Sequence, residues 1–223
     1  YVGALVGYNN RGIIANSSST GDVSVTATGT NTYTGGLIGY SYANVASSST
    51  SLTNSYSKAD VSATGDKVYV GGLVGWFSID DSSATGEVSK CYATGNITGT
   101  STGYLYIGGL GGVMYALSGN LTISNCYATG NITASGGSDY TGAGGFIGGV
   151  GTGTSISNSY AVGYVTASGS GTVYKGGFIG NNVSDAVSCS SCYWDTETSG
   201  TSDGVGNNDP DPAGITGLTT AQM

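Results

Sequence analysis

The side chains that could carry out chemistry are few in this chain, and their types exclude most enzyme mechanisms. Its 223 residues include no histidine, 13 acidic residues and only five lysines and arginines, with a formal net charge of −8. Without histidine there is no side chain that titrates readily near neutral pH, no imidazole metal ligand and no Ser-His-Asp triad. Five cations are also too few to form the electropositive surface that nucleic acid requires. The composition therefore predicts neither an enzyme nor a nucleic-acid-binding protein.

Carboxylates are the remaining candidates for acid–base chemistry or metal binding. Asp80 and Asp81 form an adjacent pair, but Arg11, the single arginine, is far from them in the sequence. A polysaccharide lyase or hydrolase needs charged groups of this kind to converge on the substrate. Such an enzyme is therefore kept as an alternative function. Five more acids fall in the final stretch and could hold calcium, although their spacing matches neither an EF-hand nor a Gly-Gly-x-Gly-x-Asp repeat, and a solvated polar cap is favoured. They are Asp195, Glu197, Asp203, Asp209 and Asp211.

The elements that position these side chains belong to an internal repeat. A phrase of the type Tyr-x-Gly-Gly-Leu-x-Gly occurs six times, with its first glycine at positions 3, 35, 71, 108, 144 and 176. A second phrase, seen at 90–97 and 125–132, alternates with it. Each unit contains short β-branched or aromatic runs between turns of Gly, Asn, Ser and Thr, without the apolar period of a helix. The units are therefore predicted to consist of strands.

A unit of this size cannot bury its own apolar face, whereas stacked units can pair each strand with its copy in the next coil. We therefore predict an all-β fold, a parallel β-solenoid of about six coils with repeats of 32 to 37 residues, over 1–194. An acidic, Gly- and Asp-rich cap or linker is predicted over 195–223. A β-propeller is the alternative, but its Trp-Asp signature does not recur.

The repeat also predicts which columns of residues face the interior. A column of large apolar residues and a column of tyrosines are both expected to point inward, whereas the column that holds Thr34 and Lys175 is expected to point outward. The column of Ile38 and Val74 would then also be exposed, unless the coil turns a corner at the glycines, which is the favoured alternative. The first two columns are Leu5, Leu37, Leu73, Leu110, Phe146 and Phe178, and Tyr1, Tyr33, Tyr69, Tyr106 and Tyr174.

Aromatic residues follow the glycine phrase in three units. Tyr8, Tyr40 and Trp76 would form a row with one ring per coil, about 4.8 Å apart, which is similar to the rise per sugar in an extended glycan. They are the candidate ligand-binding residues, although rings at a corner more commonly pack only on one another. A second row is expected to be a stacking device. It consists of Tyr56, Tyr92, Tyr127, Tyr160 and Tyr193.

The four cysteines fall at two places in the repeat. Cys91 and Cys126 share a column, where in-register strands would hold their Cβ atoms about 4.8 Å apart, beyond the usual disulfide range of roughly 3.5–4.5 Å. We expect them to be stacked small side chains. A bridge between Cys189 and Cys192 is more plausible if the protein is exported. Zinc is not expected, because two such pairs would have to converge.

The segments Gly36-Leu37-Ile38-Gly39 and Gly72-Leu73-Val74-Gly75 resemble the Gly-Leu-hydrophobic-Gly core of the GLUG-motif family. The stretches 192–200 and 217–223 are similar to the ends of such arrays in large bacterial and archaeal surface proteins. Ala4 in place of the second glycine and Gly111 in the hydrophobic slot depart from the pattern. The resemblance implies a repeat module and provides no catalytic residues.

Together these observations predict a non-enzymatic module of an exported cell-surface protein, and the start at Tyr1 in mid-pattern suggests a segment of a longer chain. The module would act as a rigid spacer or an adhesion segment that contacts a glycan or a surface protein of a host or neighbouring cell. No window reaches the roughly 18 apolar residues of a membrane span. Ice binding is a further alternative, but its candidate threonines do not form a regular Thr-x-Thr array. They are Thr26, Thr28, Thr94 and Thr129.

Overall fold

The computed structural model describes residues 1–183, 185 and 187–223, and these residues form strands and turns without a helix. In each coil the chain passes through four sheets in the same order, and each strand pairs in parallel with its copy in the next coil. Tyr69, for example, lies opposite Tyr33 on one side and Tyr106 on the other. The chain makes about five turns, close to the predicted six, and the parallel β-solenoid is confirmed.

The four sheets are numbered in the order in which the chain enters them. Sheet 1 contains Val2–Gly3, Asn31–Gly35, Lys67–Gly71, Leu105–Gly108, Tyr140–Gly144 and Thr172–Gly176. Sheet 2 contains Val6–Asn10, Ile38–Ala43, Val74–Ile79, Gly111–Ala116, Ile147–Val150 and Ile179–Asn182. Sheet 3 contains Ile13–Ala15, Ser18–Ser19, Ser49–Thr53, Tyr56–Ser57, Thr85–Ser89, Tyr92–Ala93, Asn120–Ser124, Tyr127–Ala128, Thr154–Ala161, Ser188–Asp195 and Ile215–Leu218. Sheet 4 contains Val23–Thr26, Val61–Gly65, Ile97–Ser101, Ile132–Gly136 and Val165–Gly169.

Two apolar cores run along the stack. Sheets 1 and 4 enclose one of them, to which Val70 and Ile97 contribute, and sheets 2 and 3 enclose the other, which includes Phe77 and Ile123. From Leu37 onward the leucine column lies in the second core, where the rings of Phe146 and Phe178 stack with centroids 4.7 Å apart. Leu5 was also expected to point inward but is 52% exposed in the first coil. Stacking of whole coils therefore buries the apolar faces that one coil could not bury alone.

The corner between sheets 1 and 2 is where the glycine phrase lies. Leu37 and Ile38 are adjacent in sequence and both are 0% exposed, so the predicted corner is confirmed. A Cβ atom on Gly35 would overlap the carbonyl oxygen of Ile38, and one on Gly72 would overlap that of Gly109 in the next coil. Only glycine allows the backbone to turn this tightly and the coils to approach this closely.

The predicted faces of sheet 1 were wrong. Val70 and Ile107 are completely buried, as is Thr34, whereas the tyrosine column points outward. The corner separates the tyrosines from the leucines. The alternation of inward and outward side chains along a strand therefore does not continue from the tyrosine column to the leucine column. Lys175 stands in the inward column of the last coil and donates a hydrogen bond from Nζ to the carbonyl oxygen of Gly200 at 2.8 Å.

A second corner, in sheet 3, explains the cysteines. One residue per coil there has a positive φ, such as 54° at Lys90, and the next side chain points inward. It donates a hydrogen bond to the carbonyl two residues earlier, from Cys91 Sγ at 3.2 Å or from Ser159 Oγ at 2.8 Å. Serine and cysteine are therefore equivalent donors in this column. Cys91 and Cys126 are unbonded and buried, as expected, but the suggested Cys189–Cys192 bridge is not present.

The final stretch continues the winding in reduced form. Ile215–Leu218 pairs in parallel with the end of Ser188–Asp195, and Val205 forms a bridge with Ile179. The carbonyl of Ser199 accepts a hydrogen bond from the amide of Val165 in sheet 4. Segments of 195–223 thus cover the exposed strand edges of the last full coil.

The departures from the repeat have local compensations. Gly111 lacks the side chain that fills the hydrophobic slot in the other coils, and a Cβ there would lie 2.8 Å from Cε of Met114. The flexible methionine therefore occupies the vacated space. Ala4 lies in the first coil and is exposed.

Candidate functional site

A groove runs along the stack where the outer faces of sheets 1 and 2 meet. Tyr8, Tyr40 and Trp76 lie in one column of sheet 2, as the sequence predicted. The outward tyrosines of sheet 1 face them across the corner, and the ring centroids of Tyr69 and Trp76 are 4.6 Å apart. The aromatic row predicted from the sequence is thus one wall of a two-walled surface, which we call the aromatic groove.

At its first end the aromatic groove is filled by its own rings. The ring of Tyr1 lies 5.3 Å from that of Tyr8 and 5.2 Å from that of Tyr40, centroid to centroid. Tyr33 stacks on Tyr40 at 5.4 Å with an interplanar angle of 19°. Tyr8 and Tyr40 therefore pack against neighbouring tyrosines, and their contacts stabilise this end of the stack.

Farther along, the aromatic groove opens into a cleft of 570 Å³. Trp76 lies at this point and is nearly perpendicular to the rings of Tyr69 and Tyr115, at 82° and 80°. The remaining lining combines phenol rings, aliphatic side chains and one cation. It consists of Asn31, Tyr33, Lys67, Tyr104, Tyr106, Val113, Leu117, Val150, Gly151, Thr152 and Val183.

Glycines of the fifth coil help to shape the cleft. Gly142 and Gly149 stand in the two columns that carry aromatic rings in earlier coils. A Cβ atom on either would lie within 2.9 Å of the ring of Tyr106, so this ring covers both glycines. Sequence reasoning missed Tyr69, Tyr106 and Tyr115 as lining residues, although the single glycine in the tyrosine column was a visible signal of a local change.

The phenols of Tyr69 and Tyr115 stay neutral over a wide pH range. Burial raises the pKa of Tyr69, and burial together with the charge of Asp80 raises the pKa of Tyr115 to about 12. Burial also raises the pKa of Asp80, although a hydrogen bond with Tyr42 opposes this effect. Lys67 Nζ lies 5.4 Å from the centroid of the Tyr104 ring. The cleft thus offers aromatic surface, phenol donors and acceptors, and little charge.

Comparison with protein families gives a match in the first coil. The model of the GLUG motif matches residues 1–26. The same phrase recurs in register in the following coils. The first coil carries a GLUG motif. No curated protein and no solved structure matches it significantly.

The repeats do not bring the candidate catalytic acids together with the arginine. Asp81 Oδ1 accepts hydrogen bonds from the amide and the hydroxyl of Ser83, which lower its pKa. The backbone amide of Asp80 donates a hydrogen bond to the carbonyl of Ala43 in the preceding coil. The backbone amide of Arg11 donates one to the carbonyl of Tyr42 in the following coil. Asp80 and Arg11 therefore belong to coils on either side of the one that holds Tyr42.

The acids of the last coil and of the cap hold loops. Asp195 Oδ1 accepts hydrogen bonds from the amides of Glu197 and Thr198, and Asp211 accepts two from Gly204 and Val205. Among the described residues no three of the Asp, Glu and Cys side chains gather into a metal-binding group. The five acids suggested for calcium, which also include Asp203 and Asp209, are therefore not assembled into a site.

The second tyrosine row forms a continuous stack on sheet 3. The rings of Tyr56 and Tyr92 are 4.7 Å apart at an angle of 1°, and those of Tyr92 and Tyr127 are 4.8 Å apart at 2°. Tyr160 continues the stack at 5.1 Å. The ring faces of these four tyrosines cover each other, so they form the expected stacking device, while Tyr193 lies in register with Tyr160 at the end of the row. In the described part of the chain no helix is long and apolar enough to cross a membrane.

Proposed function

We propose that this array of GLUG repeats is a non-enzymatic adhesion and spacer module of an exported surface protein, and that its aromatic groove binds a carbohydrate chain. The observation that supports this is the 570 Å³ cleft, lined by Trp76, Tyr69, Tyr106 and Tyr115. Sugars combine an apolar C–H face with a rim of hydroxyls, and they are complementary to aromatic side chains that also carry polar groups.

The direction of the groove supports an extended ligand. Its walls are columns of in-register residues, so it runs parallel to the stack axis. An oligosaccharide lying in it would contact residues from several coils at once. Low local charge favours a neutral sugar chain, because the only cation that lines the cleft among the described residues is Lys67.

The spacer role is supported by the continuity of the fold. Parallel ladders and two apolar cores run through successive coils without interruption. Such a stack behaves as a quasi-one-dimensional rod whose length follows the number of coils.

Binding should be tested by retention of the protein on a panel of insoluble polysaccharides and on a glycan array. Trp76→Ala and Tyr115→Ala open the cleft walls and are expected to lose retention, and Tyr40→Ala tests the filled end. Tyr127→Ala on sheet 3 is the matched control, because it removes an equally large ring from another face. If Trp76→Ala binds as well as the unmodified protein, the groove is not adhesive and only the spacer role remains.

A further inference from the structure

The outer face of sheet 4 carries two complete columns of hydroxyl side chains. Every one of its five strands contributes one residue to each column, in register. Nine of the ten residues are exposed and Ser62 is half-buried, and none is charged. The columns are Ser24, Ser62, Thr98, Thr133 and Thr166, and Thr26, Thr64, Thr100, Ser135 and Ser168.

The threonines alone do not reveal this hydroxyl lattice in the sequence. Serine occupies four of the ten positions and supplies the same hydroxyl. Thr94 and Thr129, which had suggested a flat face, are half-buried and follow strands of sheet 3 instead. Of the four threonines named as candidates for ice binding, Thr26 belongs to the lattice.

The lattice is held at a regular spacing from both sides. Behind it, Val61, Ile97 and Ile132 pack into the core between sheets 1 and 4. Beside it, an Asp or Asn side chain in each coil accepts a hydrogen bond from the backbone amide of the next coil. The distances are 3.2 Å for Asp60 N to Asp22 Oδ1, 2.6 Å for Asn96 N to Asp60 Oδ1, and 3.1 Å for Asn131 N to Asn96 Oδ1.

The two repeats of the lattice are fixed by the geometry of a parallel sheet. Neighbouring strands are about 4.8 Å apart, and alternate residues along a strand are about 6.6 Å apart. Oxygen atoms in the prism plane of hexagonal ice repeat at comparable distances in two perpendicular directions. A rigid, uncharged array of hydroxyls can therefore hold water molecules at positions that match a growing ice surface.

We infer that the outer face of sheet 4 binds ice. The hydroxyls would hydrogen-bond a layer of water that merges with the crystal, and the threonine methyl groups would limit competing water arrangements between the columns. This inference is independent of the proposed glycan binding, because the two surfaces lie on different sheets and share no residue.

The inference is tested by thermal hysteresis and by inhibition of ice recrystallisation, measured on the whole chain. The unmodified protein is expected to shape ice crystals and to slow recrystallisation, relative to albumin at equal concentration. Thr98→Lys and Thr100→Lys place a long charged side chain in the middle of the lattice and should abolish both effects while the circular dichroism spectrum is unchanged.

Thr122→Lys is the matched control, because Thr122 is an exposed threonine on the outer face of sheet 3. It should retain full activity, and so should Trp76→Ala in the aromatic groove. If the unmodified protein neither shapes crystals nor slows recrystallisation, or if both sheet 4 variants remain active, the inference is overturned.

Discussion

Replacing Gly72 by alanine should destabilise the fold far more than this small change usually does. Gly72 is buried at the corner between sheets 1 and 2. A Cβ atom there would overlap the carbonyl oxygen of Gly109 in the next coil and lie 2.9 Å from the Cβ of Ala93. The carbonyls on either side of it, those of Gly108 and Leu110, accept hydrogen bonds from the amides of Gly72 and Leu73, so the Gly109 carbonyl cannot move far without disturbing these bonds. Overpacking of a core costs about 1–3 kcal/mol, and we expect the upper end of that range.

For a chain of this size, about 3 kcal/mol corresponds to a decrease in Tm of about 6–12 °C. The measurement is a thermal melt followed by circular dichroism. Gly21→Ala is the matched control, because no atom lies within 4 Å of a Cβ at that position. It should leave Tm unchanged or raise it slightly, since alanine lowers the entropy of the unfolded chain. Equal melting temperatures for the two variants would refute the close approach of neighbouring coils.

Three further predictions concern individual side chains. Cys91→Ser should have nearly the same free energy of unfolding in urea as the unmodified protein, because the hydroxyl keeps the hydrogen bond to the carbonyl of Ser89. Cys91→Ala should lose about 1 kcal/mol of this free energy. The reverse order of the two variants would contradict this role. Because the folded-state pKa of Tyr115 is raised to about 12, the unfolded chain releases this proton first, and stability should fall as the pH rises from about 10 to 12. Ultraviolet titration in which every tyrosine of the folded protein ionises at the ordinary pKa would disagree. Burial alone would raise the pKa of Asp195, but its hydrogen bonds lower the pKa below the ordinary value. The ionised carboxylate therefore stabilises the fold, and this stabilisation should be lost as the pH falls below about 4. Melts at several pH values should show a smaller acid-induced loss of stability in Asp195→Asn than in the unmodified protein, and an equal loss would contradict this role.

The sequence was sufficient to predict the solenoid because repetition is visible without any knowledge of side-chain orientation. The glycine corner could also be foreseen, since Leu37 and Ile38 cannot both point inward on a straight strand. The orientation of sheet 1 could not, because Lys175 occupies the inward column and suggested the wrong face. Its stem reaches the carbonyl of Gly200 in the cap, a contact that depends on the full tertiary structure.

The candidate sites were predictable only in part, for a related reason. Tyr8, Tyr40 and Trp76 were recognised as a row, but the tyrosines that complete the groove had been placed in the interior. Whether a ring is covered or free depends on its neighbours across the corner, such as Tyr1 over Tyr40, and on Gly142 in the fifth coil. Periodicity reveals columns of residues, whereas it does not reveal which columns converge.

The parallel ladders have a mechanical consequence. Their hydrogen bonds join one coil to the next and therefore lie roughly along the long axis, with Tyr1 in the first coil and Ile215–Leu218 beyond the last. Force that pulls the two termini apart loads the bonds of one coil interface at a time instead of shearing a whole sheet. Such a rod would unfold one coil at a time at low force. The length of chain released by each coil would absorb a sudden load while the remaining coils stay folded.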